Sequence, residues 1–202
     1  MGSPWHDDIY STCTMLEIEQ KFARADFARL ERRLTEWGAV LSEAHEVADH
    51  YFNAPDRDFA RTDEAFRLRR IGATNFLTYK GPKQHSDVKM RTELEIPLLP
   101  GELAATDMTK LLTHLGYRFV AVVKKQRRQA SLQREGFAFT ICLDEVEGLG
   151  RFAEVEVLAP PERSADAERA VAALAKELGL TEVEKHSYLG LLLAARAPEA
   201  AP

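Results

Sequence analysis

Met15-Leu16-Glu17-Ile18-Glu19-Gln20-Lys21-Phe22 is the stretch on which the reading of this sequence turns. It alternates strictly: Leu16, Ile18 and Gln20 fall on one side, Glu17, Glu19 and Lys21 on the other. A two-residue period predicts a β-strand with an apolar face and a charged face. Three like-placed charges on one strand face are not core residues, so they either meet water or line an enclosed polar space.

The same alternation recurs along the chain. Arg67 and Arg69 oppose Phe66, Leu68 and Arg70, and Lys89, Arg91, Glu93 and Glu95 oppose Met90, Thr92, Leu94 and Ile96. Lys125 pairs with Arg127, and Glu154 and Glu156 oppose Val155 and Val157. For any one strand, a solvated outer face is the ordinary outcome. Repetition over five strands favours a barrel whose interior carries both signs. Such an interior suits a polyanion and its metal: Arg and Lys neutralise phosphate oxygens, and carboxylate pairs bind hard divalent ions such as Mg²⁺ or Mn²⁺. The ion makes acidic side chains compatible with an anionic ligand.

The bulk composition narrows the alternatives. The 202 residues suit one domain with tails, and 45% hydrophobic with 29% charged residues is ordinary for a globular protein. A net charge of −5 carries no nucleic-acid footprint. Cys13 and Cys142 are too few for a disulfide framework and match no zinc spacing, so a reducing cytoplasm is the default. No apolar run reaches membrane-spanning length and no apolar signal region opens the chain.

Residues 1–14 are patternless and are expected to be a poorly ordered extension, with Met15 a candidate natural start. Residues 15–195 form the predicted single domain, and 196–202 an Ala/Pro tail. Asp26 caps a helix running to Trp37, whose ring is expected in the core; Gly38 ends it. Val40–Phe52 reads as a long strand and 53–57 as a turn. Strands follow over Ala65–Ile71, Phe76–Lys80 and Lys89–Leu98, with a polar loop at 81–86. A helix spans Glu102–Leu115, a long strand or broken pair Tyr117–Leu132, then strands Phe137–Asp144 and Phe152–Leu158. Helices over Ser164–Leu178 and Ser187–Ala195 close the chain. Three times a Glu-x-Glu strand leads into a helix stopped by Gly (Gly38, Gly116, Gly179), a rhythm that hints at internal symmetry.

Glu17-Ile18-Glu19-Gln20-Lys21 resembles the Glu-x-Glu-x-Lys signature of the CYTH superfamily, the triphosphate tunnel metalloenzymes, which includes class IV adenylate cyclases, thiamine triphosphatases and inorganic triphosphatases. The resemblance runs through 15–193 in order: Arg67-Leu68-Arg69, Thr78-Tyr79-Lys80-Gly81, Glu93-Leu94-Glu95, Lys125-Gln126-Arg127, Leu143-Asp144-Glu145-Val146 with Gly148-Leu149-Gly150, Glu154-Val155-Glu156 and Ser187-Tyr188-Leu189. It implies an α+β fold: a closed eight-stranded antiparallel barrel with a tunnel through it and helices packed outside. Lys21, Arg67, Arg69, Lys80, Lys125 and Arg127 would then grip a triphosphate, with Lys21, Arg69, Lys80, Lys125 and Arg127 also catalytic. Glu17, Glu19, Glu93, Glu95, Asp144, Glu154 and Glu156 would hold Mg²⁺ or Mn²⁺. Some family members pair as homodimers.

The implied substrates are a nucleoside triphosphate, thiamine triphosphate or inorganic polyphosphate. The closest likeness is to the class IV cyclase branch, although no His-Phe pair precedes the first motif. Triphosphate hydrolysis is the alternative reaction, and a non-catalytic polyphosphate- or nucleotide-binding module the alternative class. Asp49-His50-Tyr51-Phe52-Asn53 resembles a family stretch in which an acid is common where Asn53 stands; Asn also suits a turn. Tyr51 is read as packing, although its hydroxyl could support a tunnel base. His45 and His50 are read as ordinary polar strand residues, and Cys142, on the face of Asp144, as a buried inert thiol. Lys185 and His186 either close over the tunnel or are exposed.

Overall fold

The computed structural model describes residues 15–82 and 89–196, with backbone only for Lys89 and Met90. The expected extension over 1–14 with Cys13, most of the 81–86 loop, and 197–202 lie outside the described residues. Eight antiparallel strands close into a barrel in the order β1-β5-β4-β3-β2-β6-β7-β8. They are β1 Leu16–Ala23, β2 His45–Asn53, β3 Ala65–Ile71, β4 Thr74–Lys80, β5 Lys89–Pro97, β6 Arg118–Arg134, β7 Phe137–Val146 and β8 Gly150–Ala159. The helices are α1 Phe27–Glu36, α2 Phe59–Thr62, α3 Glu102–His114, α4 Ser164–Glu177 and α5 Tyr188–Arg196.

The apolar strand faces point outward, and helices cover most of them, although Leu94 and Ile96 of β5 stay exposed. Ile18, Ile141, Leu143, Val155 and Val157 pack against Leu30 and Leu34 of α1 and Val171 and Leu174 of α4. Each such buried side chain contributes about 1.5–3 kcal/mol. A second cluster sets Phe52 and Leu68 against Ala105 and Leu112 of α3. With the outer faces spent on this packing, the charged faces turn inward, as the alternation from Leu16 to Lys21 requires.

Local signals act as the sequence predicts. Asp26 caps α1, its carboxylate accepting from the Arg29 N–H at 3.1 Å. Gly38, Gly116 and Gly179 follow α1, α3 and α4 with φ of +76°, +87° and +74°, a region costly for any residue with a Cβ.

Two features differ from expectation, and the choice between a long strand and a broken pair after Tyr117 is resolved. The strand expected from Val40 starts only at His45, because 40–44 lack a partner strand: Val40 is 84% exposed, and Ser42 bonds to β6 through Arg128 and Gln129. Trp37 is half-buried instead of central, with the Arg33 and Arg134 guanidinium groups 5.1 and 4.8 Å from its ring centroid. β6 is one unbroken strand, whose register against β2 shifts between Tyr51 and Phe52: Tyr51 pairs with Ala121 and Phe52 with Phe119. The skipped residue, Val120, lines the interior cavity.

Candidate active site

The barrel order sorts the charges. The three Glu-x-Glu strands, scattered in sequence, are neighbours in space: β5, β1 and β8 run side by side. Glu17 lies opposite Arg91, Glu19 opposite Glu156, and Lys21 opposite Glu154. The remaining strands bring the bases: Lys80 on β4, Arg67 and Arg69 on β3, Lys125 and Arg127 on β6. One wall is thus mainly acidic and the facing wall mainly basic, around a cavity of about 530 Å³. Lys21, Arg67, Arg69, Lys80, Lys125, Arg127, Glu17, Glu19, Glu93, Glu95, Glu154 and Glu156 all line it.

The bases are paired with carboxylates, some across the cavity and some on their own or adjoining strands. Lys80 Nζ donates to Glu17 Oε1 and Oε2 at 2.6 and 2.5 Å and lies 2.7 Å from Glu93. Burial works to lower the Lys80 pKa, but Glu17 and Glu93 outweigh it and hold the ammonium charged. Arg69 makes a two-pronged contact with Asp49, Nε to Oδ1 at 2.8 Å and Nη2 to Oδ2 at 3.0 Å, and Arg67 reaches the same carboxylate at 3.2 Å. Lys125 and Arg127 both donate to Asp144, at 2.9 Å from Lys125 Nζ and 2.6 Å from Arg127 Nε, while Arg127 also bridges to Glu154. Such buried charges persist only because each has a partner.

The predicted metal residues divide into two kinds. Glu17, Glu19 and Glu156 each offer an oxygen within 4.8 Å of the others; Cys142, Glu154 and Glu156 form a second such group among the described residues. Burial and the facing acids, Glu17 first, push the Glu156 pKa up to about 8 despite Arg127. That surplus of negative charge in a dry wall, all oxygen donors, fits a hard divalent cation. Glu93 is engaged by Lys80, and Glu95 accepts from Thr78 Oγ1 at 3.0 Å. Asp144 does not line the cavity: fully buried behind it, it takes Lys125, Arg127 and the Tyr188 hydroxyl. Burial drives the Cys142 thiol pKa well up, as an inert thiol requires.

At the barrel end where β2 finishes and β3 and β6 begin, the lining turns apolar: Phe52, Phe59, Phe66, Val120, Leu189 and Leu193. α2 and α5 supply part of this rim. Asn53 explains its own presence there. Its carbonyl accepts from the N–H groups of Ala54 and Phe59, at 3.0 and 2.8 Å, and its amide donates to Asp58 at 2.9 Å. Asp58 in turn caps α2. A carboxylate at position 53 would accept the first two bonds but face Asp58 with like charge.

The profile of the CYTH domain matches residues 15–188. The chain belongs to the CYTH domain family. A Methanocaldococcus jannaschii protein provisionally named an adenylate cyclase is 35% identical over 142 residues, covering 70% of this chain and 77% of that one. A solved Pyrococcus horikoshii protein superposes with a TM-score of 0.77 at 34% identity, over 89% of this chain and 99% of its own. A Hippeastrum protein, described as an adenylyl cyclase homologue with a dominant triphosphatase activity, shares the fold at a TM-score of 0.62 and 14% identity, covering 89% of this chain and 95% of that one.

Several residues of this CYTH barrel carry more than their sequence motifs announce. Asp49 holds both arginines of β3, and the signal was its two-residue spacing from Val47 and Tyr51 on one face of β2. Tyr51 does both things weighed for it: its ring is buried and its hydroxyl accepts from Arg67 Nη1 at 3.2 Å. Arg91, grouped by its strand face but given no role, lines the cavity 4.0 Å from Glu17. Tyr188 touches Asp144, Lys21 and Lys125; burial and then Glu154 push its pKa well up, so it stays a neutral donor. Lys185 and His186 do not line the cavity, but the His186 carbonyl accepts from Lys21 Nζ at 2.5 Å. His45 and His50 do not line it either. Among the described residues no helix is long and apolar enough to cross a membrane.

Proposed function

We propose that this chain is a divalent-metal-dependent enzyme acting on a triphosphate held inside the barrel, and that its reaction converts ATP to cyclic AMP and pyrophosphate. The observation that carries the reading is the opposition of an acidic wall and a basic wall within one closed cavity, with the oxygens of Glu17, Glu19 and Glu156 converging. Those three carboxylates would hold Mg²⁺ or Mn²⁺, which when bound supplies positive charge against the phosphate oxygens. Lys21, Arg67, Arg69, Lys80, Lys125 and Arg127 bind the triphosphate and stabilise charge that develops on it. Lys80, Arg69 and Arg127 exchange carboxylate partners for phosphate oxygens, so the buried bases never lose their counter-charge.

For cyclisation, the ribose 3′ oxygen attacks the α-phosphorus, the hydroxyl proton passes to solvent, and the bond from α-phosphorus to the bridging oxygen breaks to release pyrophosphate. No side-chain nucleophile is needed; the work is positioning. The apolar rim supports a substrate with a ring beyond its phosphates, which inorganic tripolyphosphate lacks. The name of the Methanocaldococcus relative points the same way. These substrates and ions coexist in the cytoplasm, the compartment expected from the sequence.

Triphosphate hydrolysis, of thiamine triphosphate or tripolyphosphate, is the alternative. There water attacks the terminal phosphorus, the bond to its bridging oxygen breaks with the diphosphate as leaving group, and inorganic phosphate forms; the activity described for the Hippeastrum neighbour favours keeping it in view. Incubation with ATP, thiamine triphosphate and tripolyphosphate, each with Mg²⁺ or Mn²⁺, separates the readings. Cyclic AMP with pyrophosphate is expected. Phosphate release on any of the three instead supports the triphosphatase, and tight binding without turnover the non-catalytic module. Glu19→Gln should abolish metal-dependent turnover while the fold persists; an unchanged rate removes the metal from the lumen.

A further inference from the structure

Tyr188, the first residue of α5, sits where two bases of the cavity meet. The Lys21 ammonium, from β1, lies 4.2 Å from the centroid of its ring, and the Lys125 ammonium, from β6, lies 5.0 Å from it. The hydroxyl donates to Asp144 Oδ2 at 3.0 Å, the same oxygen that accepts from Lys125. The ring is buried and is held edge-on by Phe152, 5.1 Å between centroids at 70°. β1 and β6 are not neighbours in the barrel; β8 and β7 separate them along one side.

Two like charges drawn toward one point repel each other, and each lysine stem has rotamer freedom to lose. The negative face of an aromatic ring attracts both ammonium groups without itself carrying charge, so it draws them to one place while Lys125 keeps its bond to Asp144 and Lys21 its bond to the His186 carbonyl. We propose that Tyr188 is a positioning residue that holds Lys21 and Lys125 together for the phosphate chain, making the C-terminal helix part of the anion grip. The inference rests on the triphosphate reading for its consequence, but its geometric half stands on the ligand-free barrel. A residue that only filled space here would need the shape of the ring; this role needs its electron density.

That difference defines the test. Tyr188→Phe removes the bond to Asp144 and keeps the ring. Replacing residue 188 by phenylalanines carrying one, two and three fluorines then weakens the ring's negative face in steps at nearly constant shape. Two quantities are read on each: the dissociation constant for tripolyphosphate with Mg²⁺, and the rate at which Lys21 and Lys125 are acylated in the ligand-free protein, followed by peptide mass spectrometry. Measured against Tyr188→Phe as the reference, the fluorine series should weaken binding progressively to about tenfold while both acylation rates climb. Melting temperatures that stay level across the series identify the effect as electronic. Binding and acylation that stay flat across the series overturn the proposal, as does a graded acylation rate with unchanged binding. If the parent protein binds no tripolyphosphate, the triphosphate reading falls by itself; the acylation series then still shows whether the ring gathers the two lysines.

Discussion

Replacing Asp49 by Asn tests how the basic wall is held when no substrate fills it. The carboxylate is 1% exposed and accepts two bonds from Arg69, at 2.8 and 3.0 Å, with Arg67 at 3.2 Å. Burial alone would raise its pKa; Arg67 and Arg69 overcome that and hold it well below the usual carboxylate range. A folded-state pKa below the unfolded one means the stabilisation is complete above about pH 4 and declines as pH falls below it. Asn keeps the size and loses the charge, leaving the buried Arg67 guanidinium without its carboxylate and Arg69 with only Glu95, 3.9 Å away. Breaking a buried pair from one side costs about 3–5 kcal/mol. In a domain of this size each kcal/mol moves the melting temperature by about 2–4 °C, so the expected drop is about 6–20 °C. Thermal melts of both proteins between pH 3 and 7, in a buffer poor in multivalent anions, measure it. The gap should be widest from pH 5 to 7 and narrow below pH 4. Tripolyphosphate should raise the melting temperature of Asp49→Asn more than that of the parent, because its oxygens replace the missing charge. A variant melting within about 2 °C of the parent at pH 7, or one with the same pH slope, refutes the reasoning.

Two other substitutions probe the cavity and its rim. Asn53→Asp should lower stability by about 1–3 kcal/mol and make the α2 segment a faster target for limited proteolysis, since a carboxylate there faces Asp58; equal cleavage rates would mean the amide polarity is immaterial. Lys80→Gln should tighten Mn²⁺ binding in the absence of phosphate and weaken tripolyphosphate binding, because the ammonium now occupies Glu17 as an internal cation. Calorimetric titrations that move in the same direction for both ligands would contradict that competition.

Much of this was legible in the sequence, for a definite reason. The two-residue spacing of charges in β1, β3, β5, β6 and β8 fixes which side chains share a face, so the sequence alone groups Glu17, Glu19, Arg67, Arg69, Glu93, Glu95, Lys125, Arg127, Glu154 and Glu156 in one interior. Helix ends followed from Asp26 and from the glycines after α1, α3 and α4. Closure order was not legible, because alternation says nothing about which strands pair. That β5, β1 and β8 form one acidic wall emerges only from the topology. Residue roles set by reach across the barrel were hidden for the same reason: Tyr188 lies 44 positions from Asp144 in the chain, and nothing local to α5 announces their contact. Asp144 shows the complementary gap. Its motif suggested a ligand, whereas burial behind Lys125 and Arg127 turns its carboxylate toward bases. The shift of β6 at Val120 is equally invisible, because Phe119 to Val123 is a continuous apolar run with no alternation to mark a skipped residue.

The account stands or falls on where metal and phosphate sit. The most direct measurement is a crystal structure of the protein with Mn²⁺ and a non-hydrolysable ATP analogue, with an anomalous map collected for manganese. The expected result is a manganese peak among the oxygens of Glu17, Glu19 and Glu156, with the triphosphate lying against Arg67, Arg69, Lys125 and Arg127. Manganese or phosphate bound only outside the barrel, with the cavity empty at saturating concentrations, would contradict it.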